Sequence, residues 1–266
     1  MRVACVQVLT DNNLEKNLSK VKKLILKAIR LKADLIITPE VSSVFSFDKK
    51  SLLKKLTTMQ KDFFVIEIRK IAKKFKRWIL IGSITSKNNG KLFNRSVLIN
   101  PKGNIQTYYD KIHMFDVKLN KKEQYFESRT FTPGKQIKVT NLPWGKLGFS
   151  ICYDLRFPNH YRSMAKKGAS FLTVPANFLL NTGRRHWHSL LRARAIENFC
   201  YIFAPAQYGT HYNGIKVFGH SMIISPDGEI LKELKKGARA SVSTALIRSP
   251  QSRNTSAFAV SKPLSR

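Results

Sequence analysis

The sequence predicts an α/β layered protein. Short apolar runs with strand character alternate along the chain with longer segments whose apolar residues recur at helical spacing. Turn signals separate the runs, and no Gly/Ser/Pro-rich linker divides the 266 residues. At 43% hydrophobic, the chain has material for one large core, so a single domain over 1–266 is expected.

Residues 2–9 read as a strand, and over 14–31 Leu14, Leu18, Val21, Leu24, Ile25, Ala28 and Ile29 form one helical stripe. A strand over 34–38 follows. Residues 51–76 read as mostly helical, with Phe64, Ile68, Ile71, Ala72 and Phe75 on one face. Strands near 78–84, 94–100 and 104–109 come next, the last two joined by a turn at Asn100-Pro101-Lys102-Gly103. Residues 146–151 form a strand into Cys152. Helices near 158–167 and 184–198 then alternate with strands near 170–174 and 200–206, and a hairpin over 218–234 turns at Pro226-Asp227-Gly228.

Composition narrows the function classes. No apolar run approaches the roughly 20 residues of a membrane span, and the start MRVACVQVLT lacks a signal peptide's long apolar segment, so a cytoplasmic protein away from membranes is expected. Cysteines at 5, 152 and 200 show neither disulfide-framework nor metal-ligand spacing, and Cys5 and Cys200 read as small buried hydrophobes. The formal charge of +32 invites an alternative reading as a basic nucleic-acid-binding protein. The basic residues are scattered as doublets, such as Lys22-Lys23, Lys121-Lys122 and Lys235-Lys236, with no nucleic-acid-binding motif beside them. That pattern favours solvated positions and only non-specific, salt-sensitive polyanion binding.

Chemistry concentrates at three strand ends. In GFSICYDLRFP an apolar strand delivers Cys152 to a sharp turn before a helix, where backbone N–H groups can lower a thiol's pKa or bind an anion. ADLIITPE ends a strand on Glu40, and YDKIHMFD places Lys111 just after another. The ordered trio Glu40, Lys111, Cys152 resembles the nitrilase superfamily of carbon–nitrogen hydrolases. The likeness extends to Ala4-Cys5-Val6-Gln7, to Phe126-Glu127-Ser128-Arg129 with Pro133-Gly134, to WHSLLRARAIEN from Trp187, and to residues 205–229.

That resemblance implies a four-layer αββα sandwich, a homodimer or higher homo-oligomer paired through a helix layer, and no metal or cofactor. It implies Cys152 as nucleophile, Glu40 as proton carrier, Lys111 as oxyanion stabiliser and Glu127 as the second glutamate that positions the lysine and the substrate. The Tyr153 N–H is the natural second oxyanion donor. Arg156 either pairs with Asp154 to shape the turn or meets a substrate carboxylate. His113, two residues from Lys111, is expected to point the same way, either facing the substrate or supporting the site from behind rather than acting as the base. His186 and His188 open a helix without a third ligand in sight, so metal binding is not expected there. The tracts CYDLRFP, KIHMFD, TGRRHWHSLLRARAIEN and FGHSM look most like the amidase branch that includes deaminated glutathione amidases and ω-amidases, which act on linear amides bearing a carboxylate and an α-keto group. APAQYGTH favours the former. Nitrilases and N-carbamoyl amidohydrolases share the trio. Ser225-Pro226-Asp227-Gly228 replaces the branch's frequent Asp-Pro-Trp-Gly, and residues 237–266 lack its usual acidic strand and Arg-Pro-rich ending. The last sheet strand and the tail's dimer contacts are therefore in question.

Overall fold

A computed structural model describes residues 1–46, 48–119, 123–234 and 241–247. In chain order its elements are β1 (Arg2–Gln7), α1 (Leu14–Arg30), β2 (Leu35–Ile37), α2 (Lys49–Lys55), α3 (Phe63–Phe75), β3 (Trp78–Asn88), β4 (Lys91–Ile99), β5 (Ile105–Asp110), β6 (Asp116–Lys118) and β7 (Gln124–Phe126). After a 3₁₀ turn at Glu127–Arg129 come β8 (Val139–Leu142), β9 (Gly145–Phe149), a second 3₁₀ turn at Cys152–Arg156, α4 (Pro158–Lys166), β10 (Ala169–Thr173) and α5 (Leu180–Asn198). The chain continues through β11 (Tyr201–Ala204), β12 (Tyr208–Thr210), β13 (Lys216–Phe218), β14 (Met222–Ile224), β15 (Ile230–Glu233) and β16 (Ser241–Leu246).

Two six-stranded sheets result, ordered β16-β1-β2-β3-β4-β5 and β15-β14-β11-β10-β9-β8. Strand alternation divides the side chains of the first sheet between two cores. Val3, Cys5, Leu35, Ile37, Leu80 and Leu98 face inward against Leu147, Phe149, Phe171 and Phe203 of the second sheet. Ala4, Val6, Ile36, Ile79, Ile81 and Val97 face outward onto the apolar stripes of α1 and α3. On the far side, Tyr161 and Met164 of α4 and Trp187, Leu191 and Ala195 of α5 complete the inner cluster. The layers run helix, sheet, sheet, helix, as the resemblance implied.

Local corrections have local causes. The helix expected over 51–76 is interrupted between Leu56 and Asp62, where the β-branched pair Thr57-Thr58 has low helix propensity. Asp62 then caps a new start, its side chain accepting from the Val65 N–H at 3.0 Å. The hairpin between β3 and β4 is longer than expected because Asn89 and Gly90 both take positive φ, 45° and 71°, as a two-residue turn of that kind requires. The last sheet strand, in question from the sequence, is present: Ser241–Leu246 pairs antiparallel with all of β1. Residues 235–240 and 248–266, with the Lys121-Lys122 and Lys235-Lys236 doublets, lie outside the described residues.

Candidate active site

Glu40 and Cys152 each sit beside, or at, a backbone kink. Beyond β2 the chain turns through Thr38-Pro39-Glu40, and Val41 takes φ +50°, an outlier for a β-branched residue. Buried hydrogen bonds hold the kink: Val41 N–H donates to Ser83 Oγ at 2.8 Å, Thr10 Oγ1 donates to the Val41 carbonyl at 2.9 Å, and Gln207 Nε2 donates to the Glu40 carbonyl at 2.7 Å. Gly82 is required behind this turn, since a Cβ there would lie 1.9 Å from the Thr38 carbonyl oxygen.

Cys152 itself takes φ +47° as β9 gives way to the 3₁₀ turn, and its N–H donates to the Pro175 carbonyl at 2.9 Å. Asp154 ties that turn together. Its Oδ2 accepts from the Ile151 N–H at 2.8 Å and Tyr109 OH at 2.7 Å, and its Oδ1 accepts from the His113 N–H at 3.0 Å and contacts His113 Nδ1 at 2.6 Å. Burial alone would raise the Asp154 pKa. The His113 hydrogen bond foremost, with nearby His160, Tyr109 and the Ile151 N–H, overrides burial and holds it below the ordinary value.

The fold brings Glu40, Lys111, Glu127 and Cys152 to one place. Lys111 Nζ lies 2.9 Å from Glu40 Oε1 and 3.0 and 2.8 Å from the two oxygens of Glu127, with its side chain 2% exposed. Asn94 Nδ2 donates to the same two carboxylates, at 2.9 Å to Glu40 and 3.0 Å to Glu127. The outer lone pairs are met by backbone: Asn177 N–H donates to Glu40 Oε2 and Phe115 N–H to Glu127 Oε2, each at 2.7 Å. A cross-strand pair sets the register of this corner, Arg95 making two bonds to Asp110 at 2.6 and 2.8 Å, while Lys111 N–H donates to the Asn94 carbonyl at 2.9 Å.

Burial by itself disfavours the Lys111 ammonium. Glu127, then Glu40, then the Cys152 sulfur outweigh it and hold the lysine pKa well above its usual range. At Cys152 burial, then the Glu40 carboxylate, push the thiol well up, against the pull of Lys111 and the Asn177 N–H. The lowered thiol pKa expected from the strand-end placement is therefore not found. That direction favours the thiol over the thiolate, and a nucleophilic role for this sulfur would call for a neighbouring base.

These residues line a cleft of about 750 Å³ including its open mouth, walled by Phe45, Phe115, Tyr125, Phe131 and Phe178. Tyr153 and Arg156 line it too, but His113 does not. The His113 ring stacks on Phe157 at 3.6 Å and points to Asp154, so of its two expected places the substrate-facing one is corrected and it sits behind the nucleophile's turn. Nor does Arg156 pair with Asp154: its guanidinium contacts His186 Nδ1 at 3.2 Å and lies over the Phe178 ring at 5.4 Å. Cys5 and Cys200 are buried thiols outside any disulfide, as expected.

Asn94 and Asn177 were missed from sequence. A polar Asn94-Arg95 pair inside the apolar strand KLFNRSVLI was the available signal for the first, because such positions need buried partners. Asn177 follows the end of a buried strand in TVPAN, a placement like that of Glu40. The absence of a third ligand near His186 and His188 is corrected as well: His220 and Glu233 meet His188.

With this geometry in place, the chain's relationships are clear. Residues 2–256 match the carbon-nitrogen hydrolase family, and the chain belongs to that family of enzymes. The deaminated glutathione amidase of Dictyostelium discoideum is 37% identical over 243 residues, covering 88% of this chain and 83% of that protein. The crystal structure of the C. elegans NitFhit protein superposes with TM-score 0.85 at 33% identity, over 92% of this chain and 60% of that one. Saccharomyces cerevisiae Nit3, of branch 10 of the nitrilase superfamily, superposes with TM-score 0.81 at 26% identity, over 92% of this chain and 89% of that one.

Proposed function

We propose that this enzyme hydrolyses a linear, carboxylate-bearing amide through a thioester on Cys152, and that deaminated glutathione is its substrate. The observation that carries the substrate class is Arg156. Lys111 is shared between Glu40 and Glu127, whereas Arg156 lines the same cleft with no carboxylate partner among the described residues. A free guanidinium within a cleft that also holds two carboxylates suits an anionic group on the substrate and sets it by two parallel hydrogen bonds. The amidase named among the relatives supports the same choice.

In this reading Glu40 takes the Cys152 proton as sulfur attacks the amide carbon. The oxyanion meets the Lys111 ammonium and the Tyr153 N–H. The tetrahedral adduct collapses, Glu40 returns the proton to the leaving amine, and a thioester remains on Cys152. Water, deprotonated by Glu40, attacks the thioester; the acid leaves and the sulfur regains its proton. Glu127 and Asn94 do not touch the reacting carbon. They hold the Lys111 ammonium in place and keep it charged, while Asn177 aims the second Glu40 oxygen.

The chain works as one domain in a cytoplasmic homo-oligomer in this proposal. The exposed Ile196 and Phe199 at the end of α5 supply an apolar face for pairing, and the +32 charge has no sequence-specific nucleic-acid role. Turnover separates the substrates: purified protein is given deaminated glutathione, α-ketoglutaramate, an N-carbamoyl amino acid and a simple nitrile in parallel, with Cys152→Ala as control. Turnover of deaminated glutathione well above the rest supports the proposal. Preference for α-ketoglutaramate would make the enzyme an ω-amidase, and turnover only of the nitrile or carbamoyl compound would overturn the role of Arg156.

A further inference from the structure

We propose that His188, His220 and Glu233 form a binding site for a divalent transition-metal ion, with zinc the best fit, that staples α5 to the edge of the second sheet. The three residues lie 32 and 13 positions apart in sequence, and the fold brings their ligand atoms within 4.8 Å of one another. His188 Nε2 lies 2.9 Å and His220 Nδ1 2.5 Å from a single oxygen, Glu233 Oε1. None of the three lines the catalytic cleft.

Two imidazoles and one carboxylate are a ligand set for zinc and its neighbours, with a fourth position left for water. Neutral imidazole ligates through an unprotonated nitrogen and keeps its proton on the other, so a metal displaces the protons that now face Glu233. Ligand atoms around tetrahedral zinc stand about 3.3 Å apart, from metal–ligand distances near 2.0 Å. The present 2.5 and 2.9 Å contacts therefore open by less than 1 Å on binding.

Two ligands are held in place before any metal arrives. The His220 ring stacks on Phe218 at 4.1 Å, and its carbonyl accepts from Trp187 Nε1 at 3.0 Å. The next residue, Ser221, donates its N–H to Gln7 Oε1 at 2.9 Å. Glu233 closes an edge strand. His188, with 36% of its side chain exposed, is the ligand free to adjust and the route by which an ion enters.

A second observation sets the cluster apart from surface ion pairing. The chain carries 48 Lys and Arg against 16 Asp and Glu, so a carboxylate has ample cations to pair with. Glu233 nevertheless pairs with neither lysine nor arginine among the described residues, only with two groups that can give up their protons to a metal. Glu67, by contrast, is held by two lysines.

The test is titration of chelator-stripped protein with Co²⁺, read by visible absorption, followed by displacement with Zn²⁺. The expected result is one equivalent bound without a thiolate charge-transfer band, affinity weakened at least roughly tenfold in both His188→Gln and Glu233→Gln, and a zinc-dependent rise in Tm in wild type alone. Near-ultraviolet circular dichroism checks that both variants are folded. Absence of saturable binding, equal affinity in folded variants, or a thiolate band that disappears in Cys152→Ala would each overturn the proposal.

Discussion

Two carboxylate sites of this chain are held in different ways, and the contrast separates the proposed place for chemistry from the proposed place for binding. At the bottom of the cleft Glu40 and Glu127 close on one buried ammonium, with backbone N–H groups filling their outer lone pairs. At the edge of the second sheet Glu233 is held by two imidazoles that water reaches. Lysine keeps its proton throughout the working pH range, so the buried cluster is a fixed electrostatic frame in which only the Cys152 proton is free to move. A buried cluster of this kind gives little net stability, because removing three charges from water costs several kcal/mol each; in the proposed mechanism it provides a charged group that needs no rearrangement when the oxyanion forms.

The largest expected effect comes from taking the sulfur out of that frame. Cys152→Ala should abolish turnover with circular dichroism and Tm close to wild type, because it removes one sulfur atom and its contacts with the Glu40 carboxylate and the Asn177 N–H while leaving the backbone turn in place. Activity within a few fold of wild type would dismiss the thioester route. Next is Lys111→Met, which removes the oxyanion donor and leaves two carboxylates without their cation. The account expects a drop of about 10²–10³ in kcat and a loss of roughly 3–5 kcal/mol in stability from the uncompensated charge, read by steady-state kinetics and urea unfolding.

Arg156→Ala sharpens the comparison by testing a cation of the cleft that pairs with no carboxylate among the described residues. It should raise KM for carboxylate-bearing amides by roughly ten- to a hundredfold, the equivalent of a charged hydrogen bond worth about 1.5–3 kcal/mol. Turnover of an uncharged short amide should be nearly unchanged. Equal losses on both substrates would assign Arg156 to the architecture of the mouth.

The smallest effect concerns pH. His211 contacts Asn177 Oδ1 at 2.8 Å behind the site and is pushed down to about 4 by burial, despite the Thr10 carbonyl. Between an unfolded value near 6.5 and the folded value, the unfolded chain binds a proton that the folded chain refuses. Stability should therefore fall as pH drops from about 6.5 to about 4, by at most roughly 3 kcal/mol from this group, and replacing His211 with Gln should flatten that part of the acid-unfolding curve.

Much of the cleft was legible because its main residues are punctuation marks. Glu40, Lys111 and Cys152 each follow a strand whose apolar run announces itself, and their order carries the family resemblance. Asn94 was hidden within a strand that reads as apolar, since its role depends on the Arg95–Asp110 pair fixing the register between two strands. Which of the two places open to His113 and to Arg156 each would fill was hidden for a related reason. Two residues of separation predict a common direction in an extended chain, but Ile112 and His113 lie beyond the end of β5, and Arg156 lies in a 3₁₀ turn. The tail strand was left in question because SVSTAL lacks the expected acidic pattern, though its register is set by backbone pairing to β1 rather than by charge. No local signal could have joined His188 to Glu233, whose meeting depends on α5 lying over the sheet edge.

The central claim is a covalent intermediate on Cys152 bearing the acid portion of a carboxylate amide. The most direct measurement is rapid acid quench of the enzyme during turnover of deaminated glutathione, followed by intact-protein and peptide mass spectrometry. The account predicts a transient mass increase equal to the acyl group, localised to the peptide that contains Cys152 and absent from Cys152→Ala. Turnover with no adduct at any quench time, or an adduct on another residue, would contradict it.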